Sequence, residues 1–294
     1  MRIFVTGATG WVGSAIVNDL IGAGHQVLGL ARSEKGAQAL RAAGAAIQRG
    51  SLADIASLRS GAAQADAVIH TAFNHDFSTF AANCAEDQRA IEAIGTALEG
   101  SARPLLVTSG VAPLAPGRTA TEEDAPNSSF PRKSESATSA LVARGIRAAS
   151  VRLPPSVHGH GDHGFVPILI GIARAKGVSA YVGDGRNRWP AVHRLDAAPV
   201  YRRALEHFAP GVRFHAIAEE GVPFKAIAEV IGRRLNIPVV SKSPEEAAEH
   251  FGWFAMFAGL DAAASSVRTR AQLHWQPNQP GLIADLDHPA YFAQ

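Results

Sequence analysis

The chain begins with an apolar run and three glycines at fixed offsets, and no other feature limits its fold as strongly. Residues 2–6 have strand character, Gly7, Gly10 and Gly13 follow, and residues 14–21 have apolar side chains at helical spacing. Gly7 permits a sharp turn, Gly10 lets a diphosphate approach the backbone, and Gly13 lets the helix pack on the strand. Because the first N–H groups of such a helix attract phosphate, the motif predicts a strand–turn–helix unit that binds a dinucleotide.

The first half of the chain alternates short apolar segments with helical ones. The predicted strands are residues 2–6, 26–31, 45–48, 67–70, 105–108 and 148–152. The predicted helices are residues 14–21, 34–43, 55–63, 77–98 and 133–143. Parallel neighbouring strands need a crossover between them, so this alternation predicts an α/β fold with a doubly wound parallel sheet. Such sheets bind ligands at the carboxyl ends of their strands.

The character of the chain changes after Pro154. Pro, Gly and His cluster up to residue 164, and a helix is expected at 165–175. Residues 192–193 and a helix at 196–207 are expected to return to the sheet domain. The remainder, with residues 214–217, a helix at 224–235 and the aromatic run 251–257, is expected in a smaller lobe. We therefore predict a nucleotide-binding domain at 1–155 and 190–210, and a substrate lobe at 156–189 and 211–294.

Composition and charge exclude several classes of protein. The 294 residues are 47% hydrophobic and 18% charged, which supplies a sizeable core and argues against disorder. The net charge is +2 and no run of Lys or Arg exceeds two, so no nucleic-acid partner is expected. No apolar segment approaches the roughly 20 residues of a membrane span, and none is expected. Cys84 is the single cysteine, so no intramolecular disulfide is expected. A signal peptide at the start of the chain would have to include the glycine motif, and we therefore expect a cytoplasmic protein.

Five ordered segments of the chain, residues 6–13, 50–54, 107–110, 152–159 and 189–196, resemble the extended short-chain dehydrogenase/reductase family. The resemblance, which extends to NAD-dependent epimerases and dehydratases, implies a nicotinamide cofactor in a Rossmann domain and a substrate bound by the C-terminal lobe. The resemblance therefore implies a small-molecule substrate, and it leaves open whether the protein forms a homodimer. The cofactor-binding residues that it implies are Gly7, Thr9, Gly10, Trp11, Val12 and Gly13 at the diphosphate, Ser51 and Leu52 at the adenine, Thr71, Ala72 and Phe73 at the middle of the cofactor, and Pro154 and Ser156 at the nicotinamide.

The end of the second predicted strand indicates which nicotinamide cofactor is bound. NAD-binding members of the family carry an acidic residue there, which accepts hydrogen bonds from the adenosine ribose. This chain has Arg32 and Ser33 at that place, and its first carboxylate is Glu34. A guanidinium and a hydroxyl suit a 2′-phosphate, so the sequence favours NADP(H).

The resemblance breaks at the catalytic residues. The family pattern is a serine after the fifth strand and a tyrosine four positions before a lysine. Ser109 and Lys133 fit this pattern, but Ser129, or Phe130 with a one-residue slip, stands where the tyrosine should be. Neither side chain replaces a phenol as acid or base at neutral pH. The chain therefore resembles the atypical members of the family, in which the nucleotide site is kept without the standard catalytic residues.

Three alternatives follow from the missing phenol. A histidine could donate the proton, with His158 and His193 as the main candidates and His75 beside Asp76 at the cleft edge. Water or the substrate itself could carry the proton, as in reduction of an iminium carbon. The protein could also bind NADP(H) without turnover, as a redox sensor. We favour an NADP(H)-dependent oxidoreductase acting on a small apolar carbonyl or imine, with Ser109 and Lys133 at its catalytic site.

Two further groups of side chains need an interpretation. The alternate histidines of residues 158–163 superficially suggest a metal site, but they coincide with a loop that the family uses without metal, so we expect none. Part of the aromatic run at 251–257 is expected in the core of the lobe. The remaining pocket residues that we expect are Phe130, His158, Phe165, Trp189, Trp253 and Met256.

Overall fold

The computed structural model describes residues 1–111 and 114–293, and its largest unit is a sheet of seven strands. The strands are β1 (Arg2–Thr6), β2 (Gln26–Ala31), β3 (Ala46–Arg49), β4 (Ala67–His70), β5 (Leu105–Gly110), β6 (Ala148–Leu153), β7 (Ser156–His158), β8 (Ser179–Val182), β9 (Arg188–His193), β10 (Arg213–His215), β11 (Glu219–Pro223) and β12 (Val239–Lys242). The helices are α1 (Trp11–Gly22), α2 (Glu34–Ala42), α3 (Ile55–Ala63), α4 (Phe80–Ala97), α5 (Ser134–Ala143), α6 (Phe165–Lys176), α7 (Arg194–Glu206), α8 (Phe224–Leu235), α9 (Pro244–Phe251), α10 (Ala255–Ala258), α11 (Val267–Leu273) and α12 (Leu282–Leu286). Short 3₁₀ turns lie at Phe77–Thr79, Gly252–Phe254 and Pro289–Tyr291.

The large sheet is parallel throughout and has the order β10-β6-β5-β4-β1-β2-β3. Because the chain order reverses between β1 and β4, a crevice opens at the carboxyl ends of these two strands. Apolar side chains from both faces of the sheet are buried against helices, among them Val5 on one face and Phe4 on the other. This confirms the predicted doubly wound α/β fold.

Among the element boundaries that differ from the prediction, two have clear local reasons. The predicted helix at 77–98 begins as a 3₁₀ turn, because the Asp76 carboxylate accepts a hydrogen bond from the Ser78 N–H at 3.0 Å, and α4 starts at Phe80. Strand β5 continues two residues beyond its predicted end, since Ser109 and Gly110 pair with the last residues of β6. Serine and glycine are weak strand formers, and the neighbouring strand decides their conformation.

A smaller lobe packs over the carboxyl ends of the sheet. It contains the three-stranded sheet β11-β9-β7 and the pair β12-β8. Its apolar core includes the fully buried Trp189, Phe224 and Phe254, which come from β9, α8 and the 3₁₀ turn before α10. Helix α7 leaves the lobe and packs on α1 of the sheet domain.

Residues 214–217, which we expected in the lobe, begin inside the large sheet instead. Strand β10 pairs with β6, with Phe214 opposite Val151. The side chains of Phe214, Leu273 and Trp275 are buried in the same cluster as Val5. For this segment and α11 the expectation was wrong, because a three-residue strand gains its hydrogen bonds and burial only from an edge formed far earlier in the chain. In the residues described, no helix combines the length and apolar character needed to cross a bilayer.

Candidate functional site

The glycine turn between β1 and α1 forms the floor of the crevice. Gly7 has φ +67°, and a Cβ there would lie 2.7 Å from the backbone N of Ala72. A Cβ on Gly13 would lie 2.0 Å from the Gly7 carbonyl oxygen, so the close packing of helix on turn requires glycine. Helix α1 has Gly10 as its N-cap and no capping side chain. Its first N–H groups, at Trp11 and Val12 among others, therefore have no intrahelical acceptor and are suited to an anion.

The segment after β4 is fixed directly beside this turn. The Thr71 hydroxyl donates to the Thr6 carbonyl at 2.8 Å, which holds Thr71 against the end of β1. Ala72 follows next to Gly7, and Phe73 is partly exposed at the crevice. The fold thus brings the glycine turn and this segment, both assigned to the cofactor from the sequence, into one cradle.

The corner after β2 is cationic. Arg32 is exposed, and its guanidinium has no hydrogen-bond or ion-pair partner within residues 1–111 and 114–293. The Ser33 hydroxyl accepts from the Gly36 N–H at 3.2 Å as the N-cap of α2, which leaves its own proton free to donate. Thr9 of the glycine turn lies against Gly36, so this corner adjoins the cradle.

Glu34, the first carboxylate after β2, is neutralised locally. Its carboxylate accepts hydrogen bonds from Arg41 at 2.8 Å and from Arg49. These hydrogen bonds hold the pKa of Glu34 below its ordinary value. The acidic side chain is therefore occupied away from any ligand at Arg32. Ser51 and Leu52 lie in the turn after β3, both partly exposed.

The residues expected to carry the catalytic pattern occupy the ends of β5 and α5. Ser109 lies within β5, opposite Arg152 of β6. Lys133 is the N-cap of α5, and its ammonium donates to the Ser128 carbonyl at 2.5 Å. The Ser129 hydroxyl donates to the Asn127 side chain at 2.6 Å in a local turn, and the Phe130 ring lies 6.0 Å from that of Phe80. The position of the expected tyrosine thus holds a turn serine and an aromatic ring.

The three tyrosines of the chain lie elsewhere. Tyr201 is fully buried with its hydroxyl 2.9 Å from the Thr108 hydroxyl, and burial raises its pKa. The Tyr291 hydroxyl donates to Asp285 at 2.8 Å, and burial likewise raises the pKa of Tyr291. Tyr181 lies in β8 of the lobe, beside the ammonium of Lys225.

His158 was expected to line the crevice, but it is enclosed in the lobe. Its side chain has no exposed surface, and its Nδ1 lies 2.8 Å from Asp285 Oδ2, which also accepts from Tyr291. Burial alone would raise the pKa of Asp285, but these hydrogen bonds keep it below its ordinary value. In this conformation the imidazole has no exposed surface, and among the described residues its Nε2 has no hydrogen-bond partner. The error arose because chain position near the nicotinamide loop does not reveal which way a strand side chain points.

His193 is paired with His158 at the lobe junction. The two ring centroids are 5.4 Å apart, and His193 Nδ1 accepts from the Leu195 N–H at 3.2 Å as the N-cap of α7. Burial, and then the neighbouring His158, lower the pKa of His193. It is therefore mostly neutral at pH 7, with little of the protonated form present to act as an acid. His75, by contrast, is exposed, with its ring 5.2 Å from that of Phe73 at the crevice.

The histidines of residues 158–163 diverge. His160 packs on His288 with ring centroids 4.3 Å apart, and His163 packs edge-on to Trp11 at 5.6 Å. In the part of the chain that the structure describes, no group of three or more His, Cys, Asp or Glu is arranged to hold a metal ion.

Trp11 and the loop after β6 connect the cradle to the lobe. The Trp11 indole donates to the Val157 carbonyl at 2.7 Å, and the Arg194 guanidinium lies 4.2 Å above its ring. Pro154 of this loop and Ser156, with which the loop enters β7, are buried. Among the described residues the Ser156 hydroxyl has no hydrogen-bond partner. A buried hydroxyl without a partner is costly, so this loop is suited to a polar group brought by a ligand.

Aromatic rings line the crevice, but not all of the residues expected in the pocket are among them. Trp189 is fully buried in the lobe core, with its indole donating to the Phe257 carbonyl at 3.1 Å, and so it was wrongly expected to line the pocket. Phe165 is partly exposed between Phe257, at 4.6 Å, and Phe77, at 6.0 Å. Trp253 and Met256 are 53% and 62% exposed, and the Trp253 ring lies 4.9 Å from that of Phe77.

Arg132 is a crevice residue that the sequence reasoning missed. Its guanidinium lies 4.2 Å above the Phe73 ring and donates to the Thr108 carbonyl at 3.1 Å. It is also 3.7 Å from the buried carboxylate of Asp87, which His70 contacts at 3.1 Å. Burial would raise the pKa of Asp87, but the hydrogen bond from His70 and the charge of Arg132 hold it below its ordinary value. The sequence signal that could have identified Arg132 is its position directly before Lys133, in the segment that carries the catalytic pattern.

Comparison with known proteins agrees with this geometry. Residues 3–217 match the NAD dependent epimerase/dehydratase family. An uncharacterized protein of Schizosaccharomyces pombe is 52% identical over 99% of this chain and 100% of its own length. The 2-alkyl-3-oxoalkanoate reductase of Stenotrophomonas maltophilia is 31% identical over 83% of this chain and 78% of its own.

A solved structure shares the fold along nearly the whole length. It is the dTDP-glucose 4,6-dehydratase DesIV of Streptomyces venezuelae with NAD bound, at TM-score 0.79 and 16% identity over 99% of this chain and 97% of that one. The glycine turn, the parallel sheet and a family match that spans most of the chain lead to one conclusion. This protein belongs to the NAD dependent epimerase/dehydratase family of extended short-chain dehydrogenases/reductases.

Proposed function

We propose that this protein is an NADP(H)-dependent oxidoreductase that reduces a small, apolar carbonyl or imine compound. The observation that carries the proposal is the corner after β2, where the exposed Arg32 adjoins the glycine cradle and the nearest carboxylate, Glu34, is occupied by two arginines. A 2′-phosphate would meet a cation and no free anion there. Reductive chemistry is further supported by the name of the bacterial relative, a 2-alkyl-3-oxoalkanoate reductase.

The residues of the cradle fit the proposed cofactor. The first N–H groups of α1 would hold the diphosphate, while Arg32 and Ser33 would hold the 2′-phosphate. The free hydroxyl of Ser156 would meet the nicotinamide end. Lys133 is our candidate for binding the nicotinamide ribose, and its ammonium would exchange its hydrogen bond to the Ser128 carbonyl for one to the ribose. When bound, the cofactor supplies the hydride; the chain binds it, orients it and keeps water from the crevice.

The lack of a suitable proton donor in the crevice favours an imine over a ketone as the substrate. The Ser129 hydroxyl is bonded to Asn127, Phe130 carries no proton to donate, and His158 is enclosed. The pKa of His75 at the crevice is lowered, first by desolvation and then by the charge of Arg132, so little of its acidic form is present at neutral pH. A ketone needs an acid when its oxygen gains charge, whereas a protonated imine already carries the proton. Ser109 at the end of β5 would then orient the substrate by a hydrogen bond without acting as an acid.

A matched pair of substrates tests this proposal. With NADPH, we expect kcat/KM for 2-methyl-1-pyrroline to exceed that for cyclopentanone by about 10²-fold or more, the usual contribution of a general acid. The measurement is NADPH absorbance in steady-state assays from pH 6 to 8. Equal rates for the two compounds would mean that the crevice supplies an acid after all.

The missing phenol also supports a second candidate function, a redox sensor that binds NADP(H) without turnover. Calorimetry together with NADPH absorbance assays separates the two. Tight NADPH binding with no oxidation by any carbonyl or imine compound would favour the sensor, while turnover of any such compound excludes it.

Substitution of the buried histidines tests whether they act as acids. We expect His158→Gln and His193→Gln to retain most of kcat, because both rings are enclosed and His193 is mostly neutral at pH 7. Loss of a general acid would instead lower kcat by about 10²-fold or more. Such a fall, with NADPH affinity unchanged by calorimetry, would assign the proton to that histidine.

A further inference from the structure

A continuous series of aromatic rings crosses the crevice between the sheet domain and the lobe. Phe77, which follows β4, has its ring centroid 5.8 Å from that of Phe80, 5.5 Å from Phe257 and 6.0 Å from Phe165. Phe80 and Phe77 belong to the sheet domain, and the other two belong to the lobe. All of these separations lie in the range of favourable aromatic contacts. The crevice therefore offers ring faces from both of its walls.

The outermost contact of this series is a stacked pair. The rings of Phe77 and Trp253 lie 4.9 Å apart with an interplanar angle of 20°. Trp253 nevertheless remains 53% exposed, whereas its neighbour Phe254 is fully buried in the lobe core. A large apolar side chain that is half in water at the mouth of a crevice is typical of a ligand contact.

The backbone around Trp253 allows its ring to move without unpacking the lobe. Gly252 has φ +56°, and a Cβ on it would meet nothing within 4 Å. The turn behind is anchored by Phe254 and by the Trp189 indole, which donates to the Phe257 carbonyl at 3.1 Å. An outward movement of the indole would therefore leave the core contacts of Phe254 and Trp189 in place.

The charge of this wall disfavours a phosphorylated substrate. Residues 243–267 contain no Lys or Arg but include Glu245, Glu246, Glu249 and Asp261. On the opposite wall, Arg132 is already bonded to the Thr108 carbonyl and lies over Phe73. A diphosphate between the walls would find no Lys or Arg within residues 243–267, and recognition of phosphate depends on such cations.

We propose that Phe77 and Trp253 form an aromatic clamp that sandwiches a flat, uncharged aromatic ring, so that the substrate is an aromatic carbonyl or imine compound. This inference rests on the proposed function and specifies its substrate class. Two rings 4.9 Å apart leave no room for a third between them, so Trp253 moves outward as the ligand ring enters and then stacks on its far face. Stacked on each other, the two rings cover this part of the crevice.

Ligand binding tests the clamp without any need for turnover. Calorimetry with and without NADP⁺ compares 2-acetylnaphthalene, its saturated counterpart 2-acetyldecalin, and UDP-glucose. We expect the aromatic ketone to bind about tenfold or more tightly than the saturated one, and UDP-glucose to bind more weakly than either. Trp253→Ala should remove most of this preference and Trp253→Phe should retain it. Phe77→Leu provides a second variant on the other wall, and Val267→Ala, an exposed apolar residue of α11, is the matched control.

Several results would overturn the clamp. These are equal affinity for the two ketones, a preference that survives both Trp253→Ala and Phe77→Leu, tighter binding of UDP-glucose, or no binding of 2-acetylnaphthalene up to its solubility limit. Failure of the proposed function looks different. Ketone binding with the expected preference, but no NADPH consumption with any substrate, would overturn the oxidoreductase and leave the clamp in place.

Discussion

Replacing Arg32 with alanine should weaken NADPH binding by about 10- to 150-fold and leave NADH binding nearly unchanged. This range corresponds to about 1.5–3 kcal/mol for hydrogen bonds to a charged group. Arg32 is exposed beside the start of α2, and Glu34 next to it is held by Arg41 and Arg49. The lost interaction is therefore with the 2′-phosphate alone, which NADH lacks.

Calorimetric titration of both cofactors measures this selectivity. Arg59→Ala, which removes an exposed arginine from α3 of the same domain, is the matched control and should change neither affinity. Arg32→Lys should fall between wild type and Arg32→Ala, because an ammonium keeps the charge but loses the planar pair of donors. An equal loss of NADPH and NADH affinity in Arg32→Ala would refute the cofactor assignment.

Replacing Arg152 with methionine should lower the free energy of unfolding by about 3–5 kcal/mol, the usual effect of breaking a buried ion pair. Arg152 is fully buried in β6, and its guanidinium bonds both carboxylate oxygens of Glu135, at 2.8 and 2.7 Å. It also contacts His215 Nε2 at 3.1 Å. Without it, Glu135 keeps, among the residues that the structure describes, only Arg213 at 3.2 Å, and a buried carboxylate is left short of hydrogen bonds.

Urea unfolding followed by circular dichroism measures the loss. Arg186→Met, which breaks an exposed pair with Asp184, is the control and should change stability by less than about 0.5 kcal/mol. The double variant Arg152→Met/Glu135→Leu should recover much of the lost stability, since no unpaired charge remains buried. If Arg152→Met is as stable as wild type, the carboxylate of Glu135 is already satisfied by Arg213 and water.

Much of the fold follows from local sequence. Strands β2 and β4 and helix α3 have the predicted bounds, because their apolar periodicity and turn residues all agree. The glycine turn was equally predictable, since Gly7 and Gly13 occupy places where the backbone leaves no room for a Cβ. These are short-range requirements, and a short stretch of sequence contains them in full. The same holds for the family, which depends on five such stretches in order.

The tertiary structure alone decided which side chains share the crevice. Position in the chain placed His158 and Trp189 near the ligand, but burial against Asp285 and Phe254 encloses them. Arg132 and Phe77 reach the crevice through contacts with Thr108 and Trp253 that are 24 and more residues away along the chain. The direction of a side chain at the end of a strand depends on the elements that pack against it. Sequence periodicity reports the face of one element, whereas a binding site is made where several elements meet.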